Sequence, residues 1–197
     1  MAKAVKVKDR GWLRIKVALR ALDGLQATIG LHPDAGPHEG DITNVGLGVV
    51  HEFGVQFMHP GGTPYTFRFS PGSSRSGAMI GGSLVFLRKG DPDAIGITKP
   101  HLIQIPERSF MRSSWDKNVK GYDRLMRRMA GALIDGDKRP SQAIGLVAEK
   151  VLADVRRTMN RGIPPPLKPA TIRRKRSSKP LIHTAQLKQA LTVKVFK

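Results

Sequence analysis

Residues 140–162, PSQAIGLVAEKVLADVRRTMNRG, give the clearest indication of the fold. Val147, Val151 and Val155 recur at intervals of four residues, with further apolar residues beside them, which places them on one face of an α-helix. The proline that begins the stretch suits the first turn of a helix, and Gly162 is typical of a helix end. The stretch therefore predicts a long helix with one apolar face, which other parts of the chain must cover.

A second long helix is predicted over residues 109–135, before a break at residues 136–139. Large side chains recur along it at helical spacing, and we expect them to mark one face of the helix. They are Met111, Trp115, Tyr122, Met126, Met129 and Leu133. Two consecutive helices, each with an apolar face, are thus expected in the second half of the chain.

Shorter helices are predicted nearer the N-terminus, over residues 9–25 and 44–54. The apolar face of the first consists of Trp12, Ile15, Leu19 and Leu22. In the second, Asn44 is expected to cap the start of the helix and Gly54 to end it.

Alternation of apolar and polar side chains predicts strands, because successive side chains of a strand point to opposite faces. The predicted strands are residues 27–31, 65–69, 84–88, 101–105 and 191–196. A stretch rich in Ser and Gly separates 65–69 from 84–88, so we expect these two to form a long hairpin with a loose tip. Residues 55–100 are therefore predicted to be a hairpin insertion between core elements.

This set of elements predicts an α+β fold, in which an antiparallel sheet carries long helices on one face. The 197 residues correspond to about 1.3 domains of ordinary size. We expect a single domain over residues 1–197, with the insertion at 55–100 and a basic C-terminal arm plus terminal strand at 161–197. Within the arm, one or two helical turns are predicted at residues 171–176, and Thr184 is expected to cap a short helix.

The charge of the chain is strongly positive. Its 34 Lys and Arg against 15 Asp and Glu give a formal net charge of +19, and residues 161–197 contain no acid at all. Such a charge attracts polyanions, and nucleic acid is the usual partner. Basic arms that neutralise the acidic faces of neighbouring subunits explain the composition equally well, so both alternatives stay open at this point.

Most catalytic classes are excluded by the residues themselves. The chain has no cysteine, which removes disulfides, thiolate metal sites and thiol nucleophiles. His51 and Glu52 resemble the start of a zinc-protease helix, but Val55 stands where the second histidine is needed. No phosphate-binding glycine loop, serine-nucleophile motif or membrane-spanning apolar run is present. We expect no enzyme activity, no metal, no cofactor and no membrane partner.

Two groups of residues are the candidates for contacts with other subunits or partners. The first lies on the hairpin and consists of Tyr65, Phe67, Arg68 and Phe69. The second lies on the basic arm and consists of Arg173, Arg174, Lys175 and Arg176. An aromatic face of period two usually packs against protein, although alternating aromatic and basic residues also suit stacking on single-stranded bases. The arginine run suits either phosphates or acidic side chains.

Four motifs occur in a fixed order along the chain. They are VVHEFG at residues 49–54, IPERSFMR at 105–112, PPLKPATI at 165–172 and PLIHTAQL at 180–187. This order resembles the virion-morphogenesis and tail-completion proteins of tailed bacteriophages, which form part of the neck between head and tail. The sequence departs from the family pattern where Glu107 and Ser109 replace Ala and Pro, and where His183 and Ala185 replace Asp and Gly.

The resemblance implies a structural role. It implies a ring of identical subunits, often six, that joins the head connector to the tail terminator or tail tube of the virion after assembly in the host cytoplasm. Its partners would then be copies of itself, those connector and tail proteins, and genomic DNA in the lumen. The alternative that composition supports is a non-specific nucleic-acid-binding protein that uses the same basic segments at both ends of the chain.

Overall fold

The computed structural model describes residues 11–36, 42–68, 74–75, 78–79, 83–175, 178–181 and 185–197. The helices are α1 (Trp12–Leu22), α2 (Asn44–Phe53), α3 (Phe110–Asp135), α4 (Pro140–Arg161), α5 (Pro169–Lys175) and α6 (Gln186–Gln189), with a 3-10 turn at Pro33–Ala35. The strands are β1 (Gln26–Leu31), β2 (Val55–His59), β3 (Pro64–Arg68), β4 (Ser74–Arg75), β5 (Ala78–Met79), β6 (Ser83–Phe86), β7 (Gly96–Ile97), β8 (His101–Ile105) and β9 (Leu191–Phe196).

The chain divides into two compact units. The first, called the body here, is formed by Met1–Gly54 and Pro106–Lys197, and the second, called the insertion, is Val55–Ile105. The predicted insertion at 55–100 thus ends five residues later in the structure, because residues 101–105 pair with the strand that begins it.

In the body, the helices α3 and α4 pack against each other, and α4 also packs against an antiparallel ribbon of β1 and β9. The register of this ribbon runs from Gln26 opposite Phe196 to Leu31 opposite Leu191. The buried core lies between these elements and consists of Phe110, Tyr122, Val151, Leu152, Val155, Met159, Ile163, Leu181, Leu187 and Leu191. Long helices packed on antiparallel strands confirm the predicted α+β class.

The two long helices have the predicted bounds to within a residue, but α3 buries only part of its apolar face. Tyr122 and Leu133 are buried, whereas Trp115 and Met126 are 46% and 47% exposed. The side chains of this face are therefore buried to different extents. Neighbours cover only part of this apolar stripe, so Trp115 and Met126 stay about half exposed.

Helix α1 buries even less of its predicted apolar face than α3 does. It packs against α3 and α4, yet none of its residues is buried. Ile15 and Leu22 are half-buried as expected, but Trp12 and Leu19 are 59% and 55% exposed. Only part of the expected apolar face is therefore covered. The reason is that α1 lies on the outside of the helical layer and contacts α3 and α4 along a narrow stripe.

The N-cap of α2 lies one residue before the one that the sequence suggested, and Asn44 is the first residue of the helix. The N-cap is Thr43, whose Oγ1 accepts a hydrogen bond of 3.0 Å from the Gly46 amide. Asn44 is instead 2% exposed and donates its side-chain amide to the carbonyls of Ala35 and Gly36 at 2.9 and 3.2 Å. The expectation for Asn44 was wrong, because its side chain ties the preceding loop to α2 rather than capping the helix.

The insertion contains three small antiparallel sheets among its described residues. In these, β2 pairs with β8, β3 lies between β6 and β7, and β4 pairs with β5. The predicted hairpin of residues 65–69 and 84–88 corresponds to the β3–β6 pair, in which Tyr65 lies opposite Phe86. The predicted strand at residues 101–105 is confirmed as β8, and it pairs with β2 from Val55–Ile105 to His59–His101.

Helix α6 has Ala185 at its N-cap position with a φ of 61°, and the predicted cap Thr184 lies outside the described residues. In the part of the chain that the structure describes, every helix is too short or too polar to cross a membrane.

Candidate functional site

The hairpin candidates lie on β3 in the insertion. Tyr65 is half-buried, its carbonyl accepts a 3.0 Å hydrogen bond from the Ile95 amide, and its ring lies close over Gly96. Phe67 and Arg68 follow it in the same strand, although the structure describes only their backbone. Phe69 lies outside the described residues. The role of this group as an interface stays a prediction.

The arm candidates lie on the short helix α5 in the body. Arg173 is exposed, while Arg174 and Lys175 belong to the helix without a described side chain. Arg176 lies outside the described residues. The hairpin and arm groups therefore belong to different compact units, and each remains a separate prediction.

The most densely bonded site in the body surrounds Glu52, near the end of α2. This carboxylate is 7% exposed and accepts hydrogen bonds from the amides of Phe110, Met111 and Arg112 at 2.9, 3.0 and 2.9 Å. It also accepts one of 2.7 Å from the hydroxyl of Ser109. The first amides of a helix have no partner within it, and the helix dipole favours a negative charge there. Glu52 therefore caps α3 from a different helix.

Arg112 holds the same junction from the solvent side. Its Nη2 donates to the backbone carbonyl of Glu52 at 3.3 Å and to Glu107 Oε1 at 2.5 Å. Its guanidinium lies 5.3 Å from the centre of the Phe53 ring, within the range of a cation–π contact. The end of α2 and the start of α3 are thus linked through both backbone and side chains.

Arg108 extends this junction to the third motif. It is 6% exposed, its backbone amide donates to the His51 carbonyl at 2.7 Å, and its Nε donates to the Pro165 carbonyl at 3.0 Å. Burial lowers the pKa of its guanidinium from the ordinary value. Leu181 and Leu187 of the fourth motif are buried in the same core as Phe110. All four motifs therefore meet in the body.

Sequence reasoning identified these motifs but missed the contact that joins the first two. The sequence holds part of the signal, because α3 has no acidic residue in its first turn. Only the structure shows that Ser109, a residue type that favours the N-cap position, makes no capping bond with its own helix. A long helix without its own cap requires acceptors from elsewhere, and an acid that precedes a glycine helix end is a suitable candidate.

A second buried carboxylate lies on α4. Asp154 is 2% exposed, bonds to Lys150 Nζ at 2.5 Å and forms an ion pair with Arg157. Burial raises the pKa of Asp154, but its hydrogen bonds and the charges of Lys150 and Arg157 outweigh burial and lower it overall. Burial, and then the Asp154 charge, raise the pKa of Tyr122 to about 12. This group stabilises the contact between α3 and α4.

Both oxygens of each carboxylate accept hydrogen bonds from donors in its own surroundings. Within the described ranges, no group of three or more His, Cys, Asp or Glu side chains is placed to hold a metal ion. Glu52 fixes the start of α3, and Asp154 is a buried charge that Lys150 and Arg157 compensate.

The surface of the body carries large apolar side chains that the fold leaves uncovered. On α1, they are Trp12, Leu13, Val17 and Leu19, each more than half exposed. Beside α2, Val49 and Phe53 border an apolar groove of about 350 Å³ that β1 and the start of α3 also line. Clusters of this kind on a protein surface usually mark contacts with other proteins.

Comparison with protein-family models, with curated proteins and with solved structures found no match to this chain. Its function is therefore inferred from the residues and contacts described above.

Proposed function

We propose that this protein is a structural subunit of the neck of a tailed-phage virion, where it closes into a ring between the head connector and the tail. The proposal includes no catalytic step. It assigns the hairpin residues and the basic arm to contacts between subunits and with connector or tail proteins. The virion would be the working location, after assembly in the host cytoplasm.

The observation that carries the proposal is the junction around Glu52. The motifs that resemble the tail-completion proteins are separated by up to about 130 residues in the sequence. Hydrogen bonds nevertheless join the second motif to the first and to the third, and the second and fourth motifs contribute side chains to one buried core. Motifs that meet in this way define an architecture rather than an active site. Short motifs that matched by chance would have no reason to lie together in the fold. That these motifs do so supports a resemblance that extends to the fold.

Exposed apolar surface and open strand edges support self-association. In the described part of the chain, β1 and β9 pair only with each other, so each has an edge without a strand partner. Open edges and apolar helix faces are liabilities for a free monomer, and a closed ring of identical subunits covers them without limitless growth. The extended insertion would reach an adjacent subunit in such a ring.

The experiment is sedimentation of the purified chain over a range of concentrations, followed by immunolabelling of intact particles. We expect a defined oligomer that dissociates on dilution, and labelling confined to the junction of head and tail. As a matched pair, Val17→Glu on α1 should weaken the oligomer, whereas Lys120→Glu on the exposed side of α3 should not. A strictly monomeric protein that is absent from particles would contradict the proposal.

Non-specific nucleic-acid binding is the second candidate function, and the net charge of +19 favours it. The two candidates differ in their response to salt. A nucleic-acid binder loses affinity steeply as salt rises, because each phosphate contact releases counterions. A filter-binding titration with duplex DNA at several salt concentrations separates them, since a neck subunit is expected to bind free DNA weakly.

A further inference from the structure

A cleft in the body lies beside the Glu52 junction and shares Glu107 and Ser109 with it, while its other lining residues take no part in that junction. It lies between the N-terminal half of α3 and the last turn of α4, and residues 162–164 form one wall. Its volume is about 510 Å³, within the range of about 300–1,000 Å³ that is typical of ligand sites. All of its lining residues belong to the body, so its shape does not depend on the insertion.

The charge of this cleft is positive. Lys117 and Arg161 line it, and neither forms an ion pair with any residue that the structure describes. The one carboxylate in its lining is Glu107, which is already bonded to Arg112 at 2.5 Å. Two cations therefore face the cleft without compensation, and an anionic ligand would satisfy both.

The remaining polar groups suit a peptide. Asn118 donates its side-chain amide to the Ser114 carbonyl at 2.8 Å, which leaves its Oδ1 as an acceptor beside the cleft. The last turn of α4 adds carbonyl groups that have no partner within the helix. The cleft thus offers acceptors for backbone amides next to cations for carboxylates, while Ile163 and Pro164 supply an apolar wall.

Nucleic acid fits these features less well. None of the residues that line the cleft is aromatic, so the site lacks the rings on which unpaired bases stack. Its concave shape also admits a single extended chain more readily than the wide backbone of a duplex. We propose that this cleft, centred on Lys117 and Arg161, binds an acidic segment of a protein partner. This inference does not depend on the neck assignment.

The test is a fluorescence-anisotropy titration of the full-length protein with a fluorescein-labelled hexaglutamate peptide. We expect saturable binding, and we expect the double variant Lys117→Glu, Arg161→Glu to weaken it at least tenfold. The matched control is the double variant Lys120→Glu, Arg124→Glu, which changes the net charge equally on the exposed part of α3 outside the cleft. It should alter the affinity by less than twofold.

Three results would overturn the proposal. One is the absence of saturable peptide binding to the unmodified protein. Another is equal weakening by the cleft and control variants, which would mean that the peptide senses only the net charge. The third is that a single-stranded oligothymidine displaces the peptide in wild type but not in the cleft variant, which would assign the cleft to nucleic acid. Circular dichroism melting of each variant confirms that it is folded.

Discussion

The body and the insertion bury their apolar side chains to different extents. In the body, Phe110, Met159 and Leu191 are at most 1% exposed. In the insertion, Met58, Ile95 and Ile97 are 63–66% exposed, and none of its described large apolar side chains is buried. Small isolated sheets are only marginally stable in water. The body thus contains the interactions that determine the fold of the monomer, and the insertion exposes surface that is suited to contacts.

The largest expected effect comes from removing a core side chain of the body. Phe110→Ala should lower the free energy of unfolding by about 3–5 kcal/mol, because it leaves a cavity beside the start of α3. The matched change Phe57→Ala in the insertion should cost about 1 kcal/mol or less, since Phe57 is 44% exposed. Urea unfolding measures both, and equal losses would contradict the difference between the two units.

A smaller effect is expected at the junction. Glu52→Gln should lower the free energy of unfolding by about 2–3 kcal/mol, because an amide cannot accept from all the donors that Glu52 binds. The matched control is Glu107→Gln, which removes an exposed charge from the same arginine and should cost about 0–1 kcal/mol. If the two variants unfold at the same urea concentration, the capping role of Glu52 is wrong.

Acid should act on the body through Asp154. Its pKa is lowered in the folded state, so its ion pairs stabilise the fold above the ordinary Asp value of 3.8, and this contribution is lost as the pH falls through the lowered pKa. The unfolding free energy of the wild type should therefore fall more steeply below pH 4 than that of Asp154→Asn, measured by urea titration at each pH. Parallel pH profiles would show that Asp154 contributes no such dependence.

The smallest effect is expected from removing the insertion. Replacement of residues 55–105 by a short glycine linker should change the melting temperature of the body by only a few degrees. The reason is that Arg108 and Arg112 bind α2 directly, through the carbonyls of His51 and Glu52. Calorimetry checks the melting temperature, and sedimentation of the same variant should show a weaker oligomer. Loss of the folded body would show that the insertion contributes to its stability.

Much of the local structure could be predicted from the sequence. The bounds of α4 and β9 follow from Pro140, Gly162 and the alternation of Leu191, Val193 and Val195. These signals depend on helical or strand periodicity and on residues that favour helix ends, so they act within a few positions. The sequence was less informative about which residues of a helix face become buried, because Trp12 and Trp115 fit the predicted apolar stripes but are 59% and 46% exposed.

Some candidate sites were chosen from the sequence, and others became visible only in the structure. The hairpin and arm residues were chosen from residue type alone, and their role stays a prediction. The Lys117–Arg161 cleft was not foreseen, because its two cations are 44 residues apart and each lies on an ordinary helical surface. Glu52 was noticed beside His51, but only as the start of an incomplete metal motif.

By itself, the sequence determined the α+β class, the positions of the main elements and the positive charge, since each depends on composition or on neighbours along the chain. Tertiary structure alone decided that Glu52 caps a helix that begins 58 residues later, and that the strand at residues 101–105 pairs with β2. The physical reason is that a carboxylate or a strand edge binds whichever donors the packed core brings within hydrogen-bonding distance. That proximity is a property of the whole fold, which no local pattern records.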